Sequence, residues 1–184
     1  LYYNIPSFNQ VPLSACTAGT DGYCCNAGIY NVTFNSINNN SANASAGYED
    51  FTSVSNSVSR GGTYSLSVQT GDQFEEKVFV WIDYNNDGDF FDTGEQVFSD
   101  MNLLPNQTHT GNITIPSSAV QNTPLRMRIG SNANWWPDPS PCTNSYYGQF
   151  EDYTILVDPW LSASSASGTV APTDSSQITL NFQS

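Results

Sequence analysis

The sequence predicts an all-β protein, an antiparallel β-sandwich of the jelly-roll or immunoglobulin-like kind, held by calcium and by disulfides. Three observations lead there. Short β-branched and aromatic runs recur at close spacing between clusters of turn-forming residues. Aromatic residues make up 13% of the chain and charged residues only 11%, with Ser, Thr, Asn and Gly abundant and helix formers scarce. Four cysteines and one dense acidic segment supply the means of bracing such a fold from outside its core.

The candidate strands are 28–34, 48–52, 63–69, 78–84, 95–98, 110–115, 125–129 and 149–157. In the third, Tyr64, Leu66 and Val68 share one face while Ser65 and Ser67 share the other; in the seventh, Leu125, Met127 and Ile129 oppose Arg126 and Arg128. Between them, 35–46, 60–62, 70–73 and 104–107 are rich in turn formers, and 117–121 after Pro116 is the one place for a helical turn. After Val157 the composition shifts through Asp158-Pro159-Trp160-Leu161 to a Ser/Ala/Gly stretch, and then to 176–183 with alternating Ile178, Leu180 and Phe182. The expected organisation is an N-terminal extension over 1–22, a β-sandwich over 23–157, and over 158–184 a linker plus a strand of a following or partner immunoglobulin-like module.

The turn after the fourth strand is the most informative segment. In Asp83-Tyr84-Asn85-Asn86-Asp87-Gly88-Asp89, oxygen-bearing side chains alternate at the spacing with which a short loop wraps Ca²⁺, and Gly88 stands where such loops turn sharply. The expected ligands are Asp83, Asn85, Asp87, the carbonyl of Asp89, and Asp92 or Glu95. An EF-hand has a bidentate Glu at the twelfth place; here that place is Gly94, and the preceding apolar run is a strand rather than a helix. An Asx-rich turn without an ion is the plain alternative, but it leaves five carboxylates within thirteen residues with no Lys or Arg among them. Calcium is the expected cofactor, and stability is expected to rise with it.

Seventeen acids against four bases, Arg60, Lys77, Arg126 and Arg128, give a formal charge of −13, which excludes nucleic acid as a partner for want of any basic surface. Cys16, Cys24, Cys25 and Cys142 contain no C-x-x-C pair and have no histidine nearby, so they read as disulfide cysteines of an exported protein rather than a zinc site. Because joining Cys24 to Cys25 strains the backbone, each of these two is expected to bond to Cys16 or Cys142. Neither a signal peptide nor an apolar stretch long enough to span a bilayer is present, and the chain reads as a processed mature segment, secreted or attached to a cell surface.

No nucleophile, histidine and acid set is apparent; His109, the single histidine, lies in a polar stretch and reads as a surface residue. Glu151 and Asp152 are read as structural: strand alternation turns them opposite ways, one to Arg126 or Arg128 and the other to a loop, with a second cation site at Asp50 or Asp152 as the rival reading. The segment 134–147 is the best ligand-binding candidate, since it sets Trp135, Trp136, Tyr146 and Tyr147 beside Asp138 on a proline-stiffened loop ending near Cys142. Aromatic faces stack on the C–H faces of sugars, and Trp135, Trp136 and Tyr146 are the rings expected to be exposed. The competing reading is that some of these rings merely cover the end of the sandwich.

Taken together, Tyr23-Cys24, the strand near Ile29, Gly47-Tyr48-Glu49-Asp50-Phe51-Thr52, the block from Trp81 to Glu95 and Gly148-Gln149-Phe150-Glu151-Asp152-Tyr153 resemble the GEVED domain over about 23–157. Gly148, Glu151, Asp152 and Tyr153 match its name motif, while Gln149 and Phe150 replace Glu and Val. The resemblance implies a secreted β-sandwich accessory module of larger bacterial surface or exported proteins, with no catalytic activity. The expected function is therefore a non-catalytic calcium-binding module, adhesive or polysaccharide-targeting. The alternative is a structural subunit of an extracellular fibre or stalk, joined to neighbouring domains or subunits through 160–184.

Overall fold

The computed structural model describes residues 11–13, 15–20, 25–41, 46–101, 104–158, 161–163 and 180–182. Its strands are β1 (Gly19–Thr20), β2 (Ile29–Phe34), β3 (Ile37–Asn40), β4 (Tyr48–Ser59), β5 (Thr63–Thr70), β6 (Glu76–Ile82), β7 (Gln96–Asp100), β8 (Thr108–Thr114), β9 (Pro124–Ala133), β10 (Asn144–Ser145), β11 (Phe150–Asp158), β12 (Leu161–Ala163) and β13 (Leu180–Phe182). Five strands in the order β4-β11-β9-β6-β7 form one sheet, and four in the order β3-β2-β5-β8 form the other. The larger sheet is mixed, because β4 runs parallel to β11 while every other pair within the two sheets is antiparallel.

Facing side chains of the two sheets make the main core. Val32 and Phe34 on β2 and Leu66 and Val68 on β5 meet Val78, Val80 and Ile82 on β6 and Leu125, Met127 and Ile129 on β9. The alternation expected for β5 holds, with Leu66 and Val68 buried and Thr63 and Ser65 exposed. The central strands β6 and β9 are different, being buried on both faces along their whole length. Residues 11–13 and 15–18 lie as a strap across the outer face of the larger sheet, where Ala18, Phe79, Trp81, Phe90 and Phe150 form a second, smaller apolar cluster.

Several expectations change. The stretch 35–46 contains β3, whose one inward apolar residue is Ile37; its Asn-rich remainder masked the strand. His109 is not on the surface: it is fully buried, with Nδ1 3.1 Å from Oδ2 of Asp100, and burial lowers its pKa. On β8, residues 108, 110, 112 and 114 point out, and the same alternation turns His109 in with Ile113. The segment after Pro116 makes a single turn, closed by the Ala119 N–H donating to the Pro116 carbonyl, and no helix occurs among the described residues. Cys16 bonds to Cys142, with Cα atoms 5.2 Å apart. Cys25 is also disulfide-bonded, so its expected partnership with Cys16 or Cys142 does not hold. Cys24 and the alternating residue Ile178 lie outside the described residues. Further on, β12 pairs with β13.

Two of the buried carboxyls, Glu76 and Glu151, hydrogen-bond to uncharged donors and are pushed toward the neutral form by desolvation. Glu76 accepts the Gly28 N–H at 2.9 Å on both oxygens, and desolvation pushes its pKa up to about 8 against those hydrogen bonds. Glu151 is fully buried on the same face as Tyr153: it accepts the Tyr153 hydroxyl at 2.6 Å and is pushed up to about 7, chiefly by burial. Both folded-state values lie above the unfolded ones, so their contribution to stability is complete below about pH 4.5 and is lost as pH rises through the folded values. Glu76→Gln is therefore expected to flatten the loss of stability between about pH 5 and 8 by roughly 1 kcal/mol per pH unit, read from denaturant unfolding across that range. Cys142→Ser is expected to cost about 2–4 kcal/mol at neutral pH, with wild type and variant converging when both are measured in reductant.

Candidate metal loop and aromatic platform

The acidic loop begins where β6 ends. Asp83 is almost fully buried, and its two carboxylate oxygens accept the N–H groups of Asp87 at 3.2 Å and Gly88 at 3.0 Å. Glu95, equally buried, accepts the Tyr84 N–H at 2.9 Å and returns the chain to β7. These two carboxylates fasten the loop from beneath, and burial pushes both pKa values up. The turn itself requires the left-handed backbone at Gly88, φ 94°.

Above that base, Asp87, Asp89 and Asp92 each offer a carboxylate oxygen within 4.8 Å of the others. Asn85 Nδ2 donates to Asp87 Oδ2 at 2.9 Å and to Asp92 Oδ2 at 2.7 Å, so the positive end of an amide lies between two carboxylates. Asn85 Oδ1 meanwhile accepts the Asp87 N–H at 3.0 Å; giving up that bond and turning the amide over presents Oδ1 to the carboxylates' side, which makes a donor set entirely of oxygen, suited to a hard cation. The structure thus gathers Asn85, Asp87, Asp89 and Asp92 at the loop surface and assigns Asp83 and Glu95 to its base. Asp89 enters through its carboxylate, where only its carbonyl was expected.

The aromatic segment 134–147 is built on the ends of β6 and β9. Lys77 reaches through the sheet edge, with Nζ 2.6 Å from the Trp136 carbonyl and 2.7 Å from Asp138 Oδ1. Asn132 donates to the Pro137 carbonyl and accepts the Tyr147 N–H. The rings form a chain of contacts: Phe74 meets Trp135 and Tyr147 edge-on, Tyr147 lies beside Tyr146, and Tyr146 stacks on Trp136 at 4.5 Å. Trp135 and Tyr146 are exposed, whereas Trp136 is half-buried, because Tyr146 covers one face and its indole N–H is turned inside. Beside Trp136 and Tyr146 runs a groove of about 190 Å³, lined also by Asp138, Thr143 and Asn144.

Neither Glu151 nor Asp152 reaches solvent. Asp152 Oδ2 accepts Arg126 Nη1 and Arg128 Nη2, each at 2.7 Å, and Tyr48 Oη at 2.8 Å; Oδ1 accepts Arg128 Nε at 2.7 Å. These bonds use Asp152 fully and leave it no place in a cation site, while Asp50 accepts the Thr52 N–H. The expected ion pair is therefore present, and doubled. Sequence reasoning missed Phe90, which leaves the acidic loop to lie 5.1 Å from the Arg128 guanidinium. Its neighbour Phe91 is exposed, and nothing in the local pattern of Asp89-Phe90-Phe91-Asp92 tells the two apart.

Residues 77–156 match the family model of the GEVED domain. No curated protein matches the chain. The matched stretch begins at β6 and takes in the acidic loop, the aromatic segment and most of β11. Within the name motif, Gly148 is obligatory, since a Cβ there meets the Ser131 carbonyl oxygen at 2.0 Å.

Because Asp83 braces the loop through backbone amides, Asp83→Ala is expected to destabilise by about 1–3 kcal/mol even in excess chelator. Asp92→Asn, at the loop surface, is expected to leave stability in chelator within about 0.5 kcal/mol of wild type. Chemical denaturation of the three proteins compares them directly.

Proposed function

We propose that the chain carries a GEVED domain, a non-catalytic, Ca²⁺-stabilised module of a larger secreted or cell-surface bacterial protein, holding a neutral polysaccharide on its aromatic segment. The observation that carries this reading is the ring cluster fixed at one end of the sandwich, with Trp135 and Tyr146 exposed beside a polar groove. Rings already locked by Lys77 and Asn132 lose little freedom when a ligand arrives, and their faces match the C–H faces of sugars. The groove is smaller than a site for a drug-sized molecule and suits one residue of a chain extending along the surface.

Charge supports a neutral ligand. Lys77 is engaged by Asp138, Arg126 and Arg128 by Asp152, and Arg60 by the Ala119 carbonyl. Lys77, Arg126 and Arg128 are thus committed internally, and the exposed Arg60 is not among the residues lining the groove, which leaves no free cation there for a uronate or a sulfate. A catalytic role finds no support in Glu151 and Asp152, one fully buried and the other bonded to two arginines. The fibre alternative has less in its favour, since β12 pairs with β13 of the same chain.

Calcium enters this reading through Asn85, Asp87, Asp89 and Asp92, whose oxygens fit a hard cation. The ion supplies charge neutralisation and loop rigidity, not reaction chemistry. The Cys16–Cys142 bond fits an oxidising, extracellular setting.

Thermal unfolding is expected to rise with Ca²⁺, by about 2.7 kcal/mol of stabilisation at a hundredfold excess over Kd, and Asp87→Ala is expected to abolish the rise. Curves that superimpose with and without chelator refute the calcium part. Retention on a panel of neutral and anionic polysaccharides tests the other part: neutral members are expected to bind, with Trp135→Ala and Tyr146→Ala each weakening retention about tenfold. Preferential binding of anionic members refutes it.

A further inference from the structure

The strap and the aromatic segment are one closed unit. Cys16 is bonded to Cys142, and β1 of the strap pairs in parallel with β10 of the segment, Gly19 opposite Asn144. Those links join the two pieces to each other and neither to the sheet beneath. Arg128, on β9, reaches both: Nη1 donates to the Cys16 carbonyl at 2.8 Å and to the Pro141 carbonyl, while Nε and Nη2 are held by Asp152. Arg126 adds bonds to the Leu13 and Pro12 carbonyls, which belong to the strap alone. On the far side, Lys77 and Asn132 hold residues 136–138. Through the Pro141 carbonyl, Arg128 ties this half of the segment to the larger sheet.

We propose that Arg128, aimed by Asp152, is the positioning residue of the aromatic platform: it fixes the half of the segment that ends in Tyr146 and so sets the wall of the groove. This inference rests on the reading of that segment as the ligand-holding surface. A guanidinium serves because its fork lets two nitrogens take the carboxylate while the third reaches the two carbonyls, which an ammonium cannot do at once. The role gives the aspartate of the Gly148–Tyr153 motif a function at a distance, transmitted through one side chain.

Arg128→Lys keeps a cation beside Asp152 and removes the reach to Cys16 and Pro141, so it is the first variant. Hydrogen exchange of the whole chain is the readout. The amides of Thr143, Asn144 and Ser145 are expected to exchange at least tenfold faster than in wild type. Those of Asn134 and Trp136, bonded to the Glu75 and Ala133 carbonyls, are expected to hold, as are those of β2 and β5. Met127→Ala, which opens the core from the opposite face of β9, serves as the control for loss of stability alone. Wild-type exchange at 143–145 in Arg128→Lys overturns the proposal, and so does acceleration spread evenly over all strands as in Met127→Ala. Asp152→Asn is expected to repeat the Arg128→Lys pattern; should it fail to fold, Arg128→Lys decides. If Trp135→Ala and Tyr146→Ala leave polysaccharide retention unchanged while the exchange pattern appears, the ligand reading fails and the positioning role stands.

Discussion

Two arginines and one aspartate are packed in a layer largely shut off from solvent, and much of the outer architecture depends on how that charge is settled. Taking an ion out of water costs several kcal/mol, which attraction alone repays only when geometry is good and the remaining donors are satisfied. Asp152 meets the first condition with bonds of 2.7 Å to both guanidinium groups. Backbone carbonyls of the strap and of the aromatic segment meet the second. The strap is thus more than a cover for apolar surface: its carbonyls complete the solvation of the arginines, and without them one net positive charge lies buried and unpaired. Phe90 and Tyr48, with ring centroids 5.1 and 5.8 Å from the Arg128 guanidinium, finish the enclosure.

The same arrangement sorts charge by depth. The cations lie within the molecule or lie against its backbone, while Asp87, Asp92 and Asp138 stand at the surface. Five acids, Glu76, Asp83, Glu95, Glu151 and Asp152, are buried as well, but with Arg60 as the one exposed base the surface of this chain of formal charge −13 remains predominantly acidic. Such a surface discourages anionic partners, favours divalent cations, and keeps neighbouring copies apart. The acidic loop and the buried arginines are connected through Phe90, one residue beyond Asp89, so the most negative part of the molecule packs against the most positive.

What could be read in the sequence was whatever repeats with a period of two. Leu66 and Val68 against Ser65, or Met127 and Ile129 against the arginines, placed β5 and β9 and even the ion pair, because alternation alone assigns a face. The oxygen-bearing residues of the acidic loop were legible for a similar reason, being a local pattern. Features that depend on which strand lies next to which were not. Ile37-Asn38-Asn39-Asn40 forms a strand because β2 lies beside it, and Asn39 is needed inward to donate to the Tyr153 hydroxyl. His109 looked solvated because its neighbours are, yet those neighbours occupy the other face. The disulfide partner of Cys16 follows from the β1 and β10 pairing, whose two strands are only two residues long and carry no pattern. Among the rings, sequence could not tell that Tyr146 would spend one face on Trp136.

The parallel pairing of β4 with β11 sets an order of assembly. Tyr48 stands opposite Phe150 and Ser59 opposite Asp158, so an edge of the larger sheet waits for residues about a hundred positions further along the chain. A hairpin such as β5 with its neighbours can close early, but long-range pairing carries the entropy of a large loop and comes late. Until β11 arrives, β4 has no partner in its sheet, Asp152 is not there to receive the arginines, and the strap has nothing to solvate. The chain therefore completes its larger sheet only once nearly all of the domain is available at the same time and place.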